Sequence, residues 1–285
     1  MKILITGTNG FVGRNLKEFF EARYSESAFP KRQELNLLDS EAVEGYLDSG
    51  QFDAVIHCGV TLHSVEENLK MYFNIERCTK SFGKLICVGS GAEYGPGHYT
   101  PKMKEEYFGR YIPTDIYGFS KYVISKDIQA IPRNIFNLRV FGIFGKHEDY
   151  TRRFISNNIC RVLSGKNISM NRDMGFDFLF VEDFALLLET FMLGDPTHRS
   201  YNVCRGERID LSRLAEIIRD VDGKCVPIKV KSDGKNPEYT GDNSRFVNEF
   251  GIPEFLSFET AVERLYKWYV EGSGIDFTEN PLLQE

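Results

Sequence analysis

Three residues of this 285-residue chain could together move a proton to or from an oxygen on a reacting carbon. Tyr117 and Lys121 are four residues apart, which places both side chains on one face of a helix. A cation one helical turn from a phenol favours the phenolate, so this pair is suited to proton exchange near neutral pH. Ser90 is a neutral donor that could hydrogen-bond an oxygen on which negative charge develops.

The spacing of the tyrosine and the lysine is weak evidence by itself. The chain contains 14 tyrosines, and Tyr122 with Lys126 forms a second pair at the same spacing. The strand and the helix that position these residues must therefore show which pair is functional. The apolar run 84–89 predicts a buried strand that delivers Ser90 at its carboxyl end, where ligands bind in open parallel sheets. Residues 113–129 predict a helix. The alternative interpretation is that Ser90 merely ends a strand and Tyr117 merely lies on a helix, with no catalytic role for either.

The first residues of the chain combine a strand, a glycine-rich turn and a helix. Residues 2–6 are an apolar run typical of a strand buried on both faces, and residues 14–23 have helical spacing. Between them lie three glycines at three-residue intervals, Gly7, Gly10 and Gly13. In such a turn the glycines permit a tight bend, a close approach of a pyrophosphate and close packing of helix on strand. A glycine turn that holds no ligand is the alternative.

The strand and helix alternation continues after this unit. We expect residues 24–38 to hold the second and third strands. Residues 39–49 predict a helix with Asp39 or Ser40 as its N-cap. Residues 52–60 predict another buried strand that ends in small residues. The order predicts an α/β fold with a mostly parallel sheet.

The predicted architecture is a Rossmann doubly wound parallel sheet with a smaller, interleaved C-terminal substrate lobe. The dinucleotide-binding Rossmann domain would comprise residues 1–145 and 177–206. The smaller lobe would comprise residues 146–176 and 207–285, and the tail from Gly272 is expected to fray.

Composition restricts the partners of the chain. A net charge of −6 argues against a nucleic-acid partner. The six cysteines show neither metal-ligand spacing nor a disulfide framework, so we expect no metal ion and reduced thiols. The chain opens on a strand without a signal-peptide pattern, and no apolar run approaches 18 residues. We therefore expect a cytoplasmic protein without a membrane partner.

Taken in order, the motifs resemble those of the extended short-chain dehydrogenase/reductase family, which contains nucleotide-sugar epimerases, dehydratases and reductases. The matching segments are residues 7–13, 53–57, 90–95, 117–121, 138–145, 177–183 and 201–203. The resemblance implies that Ser90, Tyr117 and Lys121 are catalytic and that the lysine also holds the nicotinamide ribose. It favours Tyr117 and Lys121 over the overlapping pair, Tyr122 and Lys126.

The resemblance also implies a dinucleotide cofactor. At the end of the second strand, NAD-binding folds place an acidic residue and NADP-binding folds a cation. Lys31 and Arg32 occupy this region and favour NADP(H), whereas a solvated basic loop with NAD(H) as cofactor is the alternative. The cofactor-binding residues implied are Gly7, Asn9, Gly10, Phe11, Val12, Gly13, Lys31, Arg32, Asn36, Leu37, Cys58, Gly59, Val60, Tyr117, Lys121 and Phe141.

The substrate is less closely specified. Residues 32–39 resemble GDP-fucose synthases, which are NADP-dependent, and more loosely dTDP-4-dehydrorhamnose reductases. The 4,6-dehydratases keep an Asp-Glu pair just after the catalytic hydroxyl, where this chain has Gly91 and Ala92. Many relatives contact the substrate diphosphate with an arginine at the place of Phe176. The candidate substrate contacts of this chain are Glu93, Arg152, Arg153, Arg172 and Arg245.

These observations favour NADPH-dependent reduction of the 4-keto group of a nucleotide-linked 6-deoxy sugar, with the proton supplied by Tyr117. An NAD-dependent nucleotide-sugar 4-epimerase is the alternative, because that reaction needs the same three residues. A dinucleotide-binding sensor without turnover is a third alternative. The expected partners are a nucleotide-diphosphate sugar and a second copy of the chain in a homodimer.

Overall fold

The computed structural model of the protein describes residues 1–130 and 132–277. The strands are β1 Ile3–Thr6, β2 Phe52–His57, β3 Phe82–Ser90, β4 Ile135–Val140, β5 Gly142–Phe144, β6 Ile168–Met170, β7 Gly175–Phe176, β8 Phe178–Phe180, β9 Ser200–Val203, β10 Ile209–Asp210 and β11 Ile228–Val230. The helices are α1 Phe11–Glu21, α2 Ser40–Gly50, α3 Val65–Glu76, α4 Ile116–Ala130, α5 Phe154–Leu163, α6 Val181–Leu193, α7 Leu211–Asp222, α8 Ser244–Phe250 and α9 Phe258–Glu271. Two short 3-10 turns span Gly91–Tyr94 and Glu105–Tyr107.

Five strands form the central sheet in the order β1-β2-β3-β4-β9, and every neighbouring pair is parallel. This sheet, with helices against it, confirms the predicted Rossmann-like α/β class. Because the strands are parallel, their carboxyl ends share one edge. The residues that follow Thr6, His57 and Ser90 therefore meet along that edge.

The prediction for residues 24–38 is wrong. This segment, all of which the structure describes, contains a single bridge between Leu4 and Ala28 instead of two strands. The Ala28 N–H donates to the Ile3 carbonyl at 2.8 Å, and the Ile5 N–H donates to the Ala28 carbonyl at 3.0 Å. Pro30 follows two residues later, and its missing N–H prevents further pairing along β1.

Side-chain caps define the helix that follows. Asp39 is the N-cap of α2, and its carboxylate accepts from the Glu41 and Ala42 N–H groups at 3.1 Å each. The buried face of this helix carries Val43 and Leu47, which pack beneath the sheet. The predicted helix is thus confirmed, with Asp39 rather than Ser40 as its cap.

A second hydrophobic core lies among α5, α7 and α9. Phe144 of β5 and Phe180 of β8 pack in this core, so the chain passes between the two cores several times. Helix α8 departs from the predicted partition, because Phe246 packs into the core of the central sheet.

The start of the C-terminal tail packs against the same second core. Ile275 and Phe277 are partly buried there, so the described beginning of the tail is held in place. The remainder of the tail predicted to fray, residues 278–285, lies outside the described residues.

Three further observations concern the described ranges. No helix in them combines the length and apolarity that a membrane span requires. They contain no group of three or more His, Cys, Asp or Glu residues that could hold a metal ion. All six cysteines are free thiols.

Candidate active site

The glycine turn after β1 has backbone geometry that larger residues would disrupt. Gly7 has a φ of +75°, which favours glycine. A Cβ on Gly13 would lie 2.2 Å from the Gly7 carbonyl oxygen, so α1 can pack this closely only with glycine at 13. Gly10 is the N-cap of α1, which has no side-chain cap and no acidic residue in its first turn. The first amides of this helix are therefore open to an anion.

The turns after β1 and β2 are in direct backbone contact. A Cβ on Gly7 would lie 2.6 Å from the Gly59 nitrogen, and Gly59 in turn lies against Leu37. Leu37 is held from α3, because the Asn74 side chain donates to its carbonyl at 2.9 Å. The structure thus brings together three separate segments that were predicted to bind the cofactor.

The remaining predicted cofactor residues differ in exposure. Asn9 and Val60 are exposed at the edge of the turns, and Asn36 is exposed with its side chain bonded to the Leu38 N–H at 3.2 Å. Phe11 and Val12 are half-buried at the start of α1. Cys58 is half-buried, and burial raises the pKa of its thiol to about 12, so it stays protonated at neutral pH.

Two exposed cations lie beside the glycine turn. Thr8, in that turn, donates its hydroxyl to the Pro30 carbonyl at 3.2 Å, and Lys31 and Arg32 follow directly. The Lys31 N–H donates to the Glu34 carboxylate at 2.7 Å and closes a turn, while both basic side chains remain exposed. This arrangement could hold an additional phosphate next to a dinucleotide.

Ser90 is held by a reciprocal capping arrangement at the carboxyl end of β3. Its hydroxyl accepts from the Ala92 N–H at 3.1 Å, and its own N–H donates to Glu93 at 3.0 Å. The residue is 8 % exposed. Both ends of the residue are therefore fixed by the 3-10 turn that follows it.

Glu93 is a structural residue, and the expectation that it contacts substrate is wrong. Its side chain is completely buried and pairs with Arg139, also completely buried, at 2.6 Å. Asn137 donates to both carboxylate oxygens, at 3.1 and 2.9 Å. The charge is neutralised inside the protein, and no free carboxylate remains on the turn after Ser90.

Helix α4 carries the predicted tyrosine and lysine close to this turn. A Cβ on Gly118 would lie 3.0 Å from the Ala92 carbonyl oxygen, so the glycine beside Tyr117 permits the close approach. Lys121 donates to the Val88 carbonyl at 2.7 Å and lies 6.0 Å from the Tyr117 ring centre. Lys121 is 7 % exposed, whereas Tyr117 is half-buried.

His57 is not a second acid or base at this edge of the sheet. Burial and the nearby Lys121 charge lower the pKa of His57 to about 3. The imidazole is neutral at physiological pH, and its Nδ1 lies 2.9 Å from the Thr6 hydroxyl. Lys121 is thus the cation that faces Tyr117 in this group.

Asn68 is a site residue that the sequence analysis missed. Its side-chain oxygen accepts from the Thr61 N–H at 2.7 Å, and its amide donates to the Thr61 carbonyl at 2.8 Å. The same amide donates to Ser120 of α4 at 3.0 Å. Asn68 therefore connects the turn after β2 to the helix of Tyr117, and no motif marks it, because Ser120 is 52 residues away in the sequence.

An aromatic cluster packs against the turn that follows Ser90. Phe141, predicted to contact cofactor, is 5 % exposed and packs against Tyr94 and Tyr239 with ring centres 6.2 and 5.1 Å apart. Its ring also packs against the turn, because a Cβ on Gly91 would lie 3.0 Å from it. Phe176, at the place of an expected arginine, stacks on Phe178 at 4.7 Å.

The four arginines predicted as candidates for the substrate diphosphate fall into two groups. Arg152, Arg153 and Arg172 are exposed. Arg245 is committed to other contacts, because it pairs with Glu106 at 2.7 Å and donates to the Ser200 carbonyl at 3.0 Å.

Comparison with known proteins adds a family and a fold. A family model described as "NAD dependent epimerase/dehydratase family" matches residues 3–204. The GDP-mannoheptose C4 reductase of Campylobacter jejuni, solved with NADP bound, superposes with a TM-score of 0.78 at 18 % identity, covering 94 % of this chain and 98 % of that one. A GDP-L-fucose synthetase of Naegleria fowleri gives 0.81 at 17 %, covering 95 % and 93 %. The UDP-glucose 4-epimerase of Thermotoga maritima gives 0.79 at 18 %, covering 95 % and 99 %.

Proposed function

This chain belongs to the NAD dependent epimerase/dehydratase family, and from that membership we propose that it reduces the 4-keto group of a nucleotide-linked 6-deoxy sugar with NADPH. The observation that carries the proposal is the turn after Ser90. Its one carboxylate, Glu93, is buried against Arg139. Dehydration and epimerisation beside a ketone both need side chains that remove a proton from carbon. Without such groups on this turn, the site supports hydride transfer at a single carbon.

The glycine cradle supports binding of the cofactor. Gly7 and Gly13 leave backbone space that a Cβ would fill, and the open amides of α1 suit a pyrophosphate. Lys31 and Arg32 would hold the 2′-phosphate that distinguishes NADPH from NADH. NADPH, when bound, supplies the hydride.

Three side chains perform the rest of the proposed reaction. Ser90 donates a hydrogen bond to the carbonyl oxygen, where negative charge develops. Tyr117 gives its proton to that oxygen, which becomes the product hydroxyl. The Lys121 ammonium stabilises the phenolate left behind, and its bond to the Val88 carbonyl keeps the charge in place.

Purified protein should consume NADPH when mixed with a GDP-, dTDP- or UDP-linked 4-keto-6-deoxy sugar. The loss of nicotinamide absorbance should match the alcohol formed, mole for mole. Tyr117→Phe, assayed under the same conditions, is the control for reduction by contaminants. If no 4-keto sugar causes NADPH loss above that control, the proposal fails.

The runner-up is an NAD-dependent nucleotide-sugar 4-epimerase. It is supported by the same three residues, because a 4-epimerase needs no additional acid or base. Such an enzyme regenerates its cofactor in each cycle. Interconversion of two sugar epimers by protein with tightly held NAD, without net loss of cofactor, would establish it and exclude the reductase.

We also propose that α3 and α4 form a homodimer interface. Phe73 of α3 and Ile116 and Phe119 of α4 are exposed apolar side chains, at 38, 41 and 36 %. Exposed apolar clusters mark interaction sites. Light scattering should give twice the monomer mass, and Phe73→Glu combined with Phe119→Glu should reduce it to the monomer. A monomeric wild-type protein at micromolar concentration would contradict the proposal.

A further inference from the structure

The side chain of Asn68 is buried between the turn after β2 and helix α4. The residue lies near the start of α3 and is 2 % exposed. Its side-chain oxygen accepts from the Thr61 N–H at 2.7 Å, and one of its two amide hydrogens is donated to the Thr61 carbonyl at 2.8 Å. Asn68 therefore binds both backbone polar groups of Thr61, which directly follows the predicted cofactor residues 58–60.

The other amide hydrogen of Asn68 is donated to Ser120 of α4 at 3.0 Å. Ser120 is completely buried, and its hydroxyl donates to the Ile116 carbonyl at 2.5 Å. The same hydroxyl lies 3.2 Å from the Tyr117 carbonyl oxygen. Because a serine hydroxyl has one proton, and that proton is directed to the helix backbone, the hydroxyl accepts the hydrogen bond from Asn68.

Helix α4 is thus held by two neighbouring residues that face different partners. Consecutive residues of an α-helix point about 100° apart. Ser120 faces Asn68 of α3, whereas Lys121 donates to the Val88 carbonyl of β3 at 2.7 Å. Together these bonds fix the rotation of α4 about its axis. The direction of the Tyr117 side chain, one turn earlier on the same helix, depends on that rotation.

We propose that Asn68 is a positioning residue that holds the proton donor Tyr117 at a fixed place relative to the cofactor-binding turn after β2. The inference rests on the function proposed above. In that reaction the proton and the hydride reach the two atoms of one carbonyl group, so the parts of the protein that hold each donor must keep a constant separation. Asn68 is bonded to both parts, through Thr61 and through Ser120.

Asn68→Asp tests this role because it keeps the shape of the side chain and removes both N–H donors. A carboxyl group cannot donate to the Thr61 carbonyl and to Ser120 at the same time. We expect kcat to fall about tenfold or more, because a small displacement of a reacting group is costly, while KM for the sugar stays within about twofold. Steady-state kinetics with NADPH and the 4-keto sugar measures both constants. An unchanged kcat would overturn the proposal.

Asn158 provides a matched control, because its amide makes the same kind of contacts between α5 and β6. Its oxygen accepts from the Ser169 N–H at 2.8 Å, and its amide donates to the Ser169 carbonyl at 3.2 Å and to the Phe154 carbonyl at 3.0 Å. It is 1 % exposed. Asn158→Asp should lower Tm about as much as Asn68→Asp and leave kcat unchanged. An equal loss of kcat in both variants would show a general loosening of the protein and overturn the proposal.

Ser120→Ala removes the same contact from the side of α4. It should also lower kcat, and an unchanged kcat would contradict the proposal even if Asn68→Asp does not fold. In the Ser120→Ala background, Asn68→Asp should lower kcat by less than about a further twofold, because the bond between the two residues is already missing. If the two losses multiply, Asn68 does not act through α4 and the proposal is wrong.

Melting temperatures test the contact without any substrate. The Tm losses of Asn68→Asp and Ser120→Ala should be less than additive, because the two side chains share a hydrogen bond. Additive losses would overturn the inference. If the losses are coupled and no 4-keto sugar is reduced, the proposed function fails, whereas the connection between Asn68 and α4 stands.

Discussion

Glu93→Gln should destabilise this protein far more than the same change at its surface. Glu93 and Arg139 are both completely buried and are joined at 2.6 Å. Breaking a buried pair by neutralising one partner costs about 3–5 kcal/mol, because the other charge is left without compensation. For a chain of this size, each kcal/mol lowers Tm by about 2–4 °C. The expected loss is therefore roughly 6–20 °C.

Thermal unfolding monitored by near-UV circular dichroism is the assay, with Glu18→Gln as the matched control. Glu18 pairs with Lys146 at 2.8 Å, but its side chain is 42 % exposed, so its pair contributes less than about 1 kcal/mol. A Tm loss in Glu93→Gln no larger than that of the control would refute the reasoning.

The partner residue supplies a second, independent test. Arg139→Met leaves an unpaired buried carboxylate, whereas the combination with Glu93→Gln removes both charges. The glutamine oxygen can still accept from the Ser90 N–H. The double variant should thus be more stable than Arg139→Met alone. If it loses the sum of the two single effects, the pair is not coupled as the structure indicates.

The remaining predictions concern proton transfer, cofactor choice and pH. Tyr117→Phe should lower turnover about 10²–10⁴-fold while its affinity for NADPH is kept, whereas Tyr122→Phe should keep the turnover of the wild type. Steady-state kinetics measures both variants. A turnover of Tyr117→Phe within tenfold of the wild type would contradict the assignment. Changing Lys31 and Arg32 to alanine should weaken NADPH by about 2–4 kcal/mol with NADH unaffected, measured by calorimetry; equal loss for both cofactors would place the pair elsewhere. Burial raises the pKa of Glu148 to about 8, above its unfolded value, so its contribution to stability is present at low pH and is lost as pH rises through about 8. Glu148→Gln should therefore lose less Tm than wild type between about pH 6 and about pH 9, and an identical loss would contradict this.

The sequence predicted those parts of the fold that local chemistry determines. Apolar runs placed β1, β2 and β3 to within two or three residues at either end, and Asp39 marked the start of α2. The order of strand, glycine turn and helix was also correct. Each of these features depends on side chains that are neighbours in sequence, so periodicity and capping rules suffice.

Long-range pairing accounts for what the sequence did not predict. Glu93 stands near Ser90 in sequence, yet its role is decided by Arg139, 46 residues away. Tyr239 is one of 14 tyrosines, and only the folded chain brings its hydroxyl against Gly91, the residue after Ser90. The prediction of two strands in residues 24–38 was wrong for a different reason. A segment that joins the sheet edge through one bridge needs few apolar residues, so its sequence carries no strand pattern.

The repeated passage of the chain between its two hydrophobic cores also determines when each core can form during synthesis. Strands β1 to β4 are complete by Val140, so four of the five sheet strands can pair early. The core among α5 and α7 needs Leu265 and Tyr269 of α9, about the last part of the described chain to leave the ribosome. The apolar faces of α5 and α7 therefore lack the side chains of α9 during translation. A chaperone that binds nascent apolar helices would meet this protein at that stage.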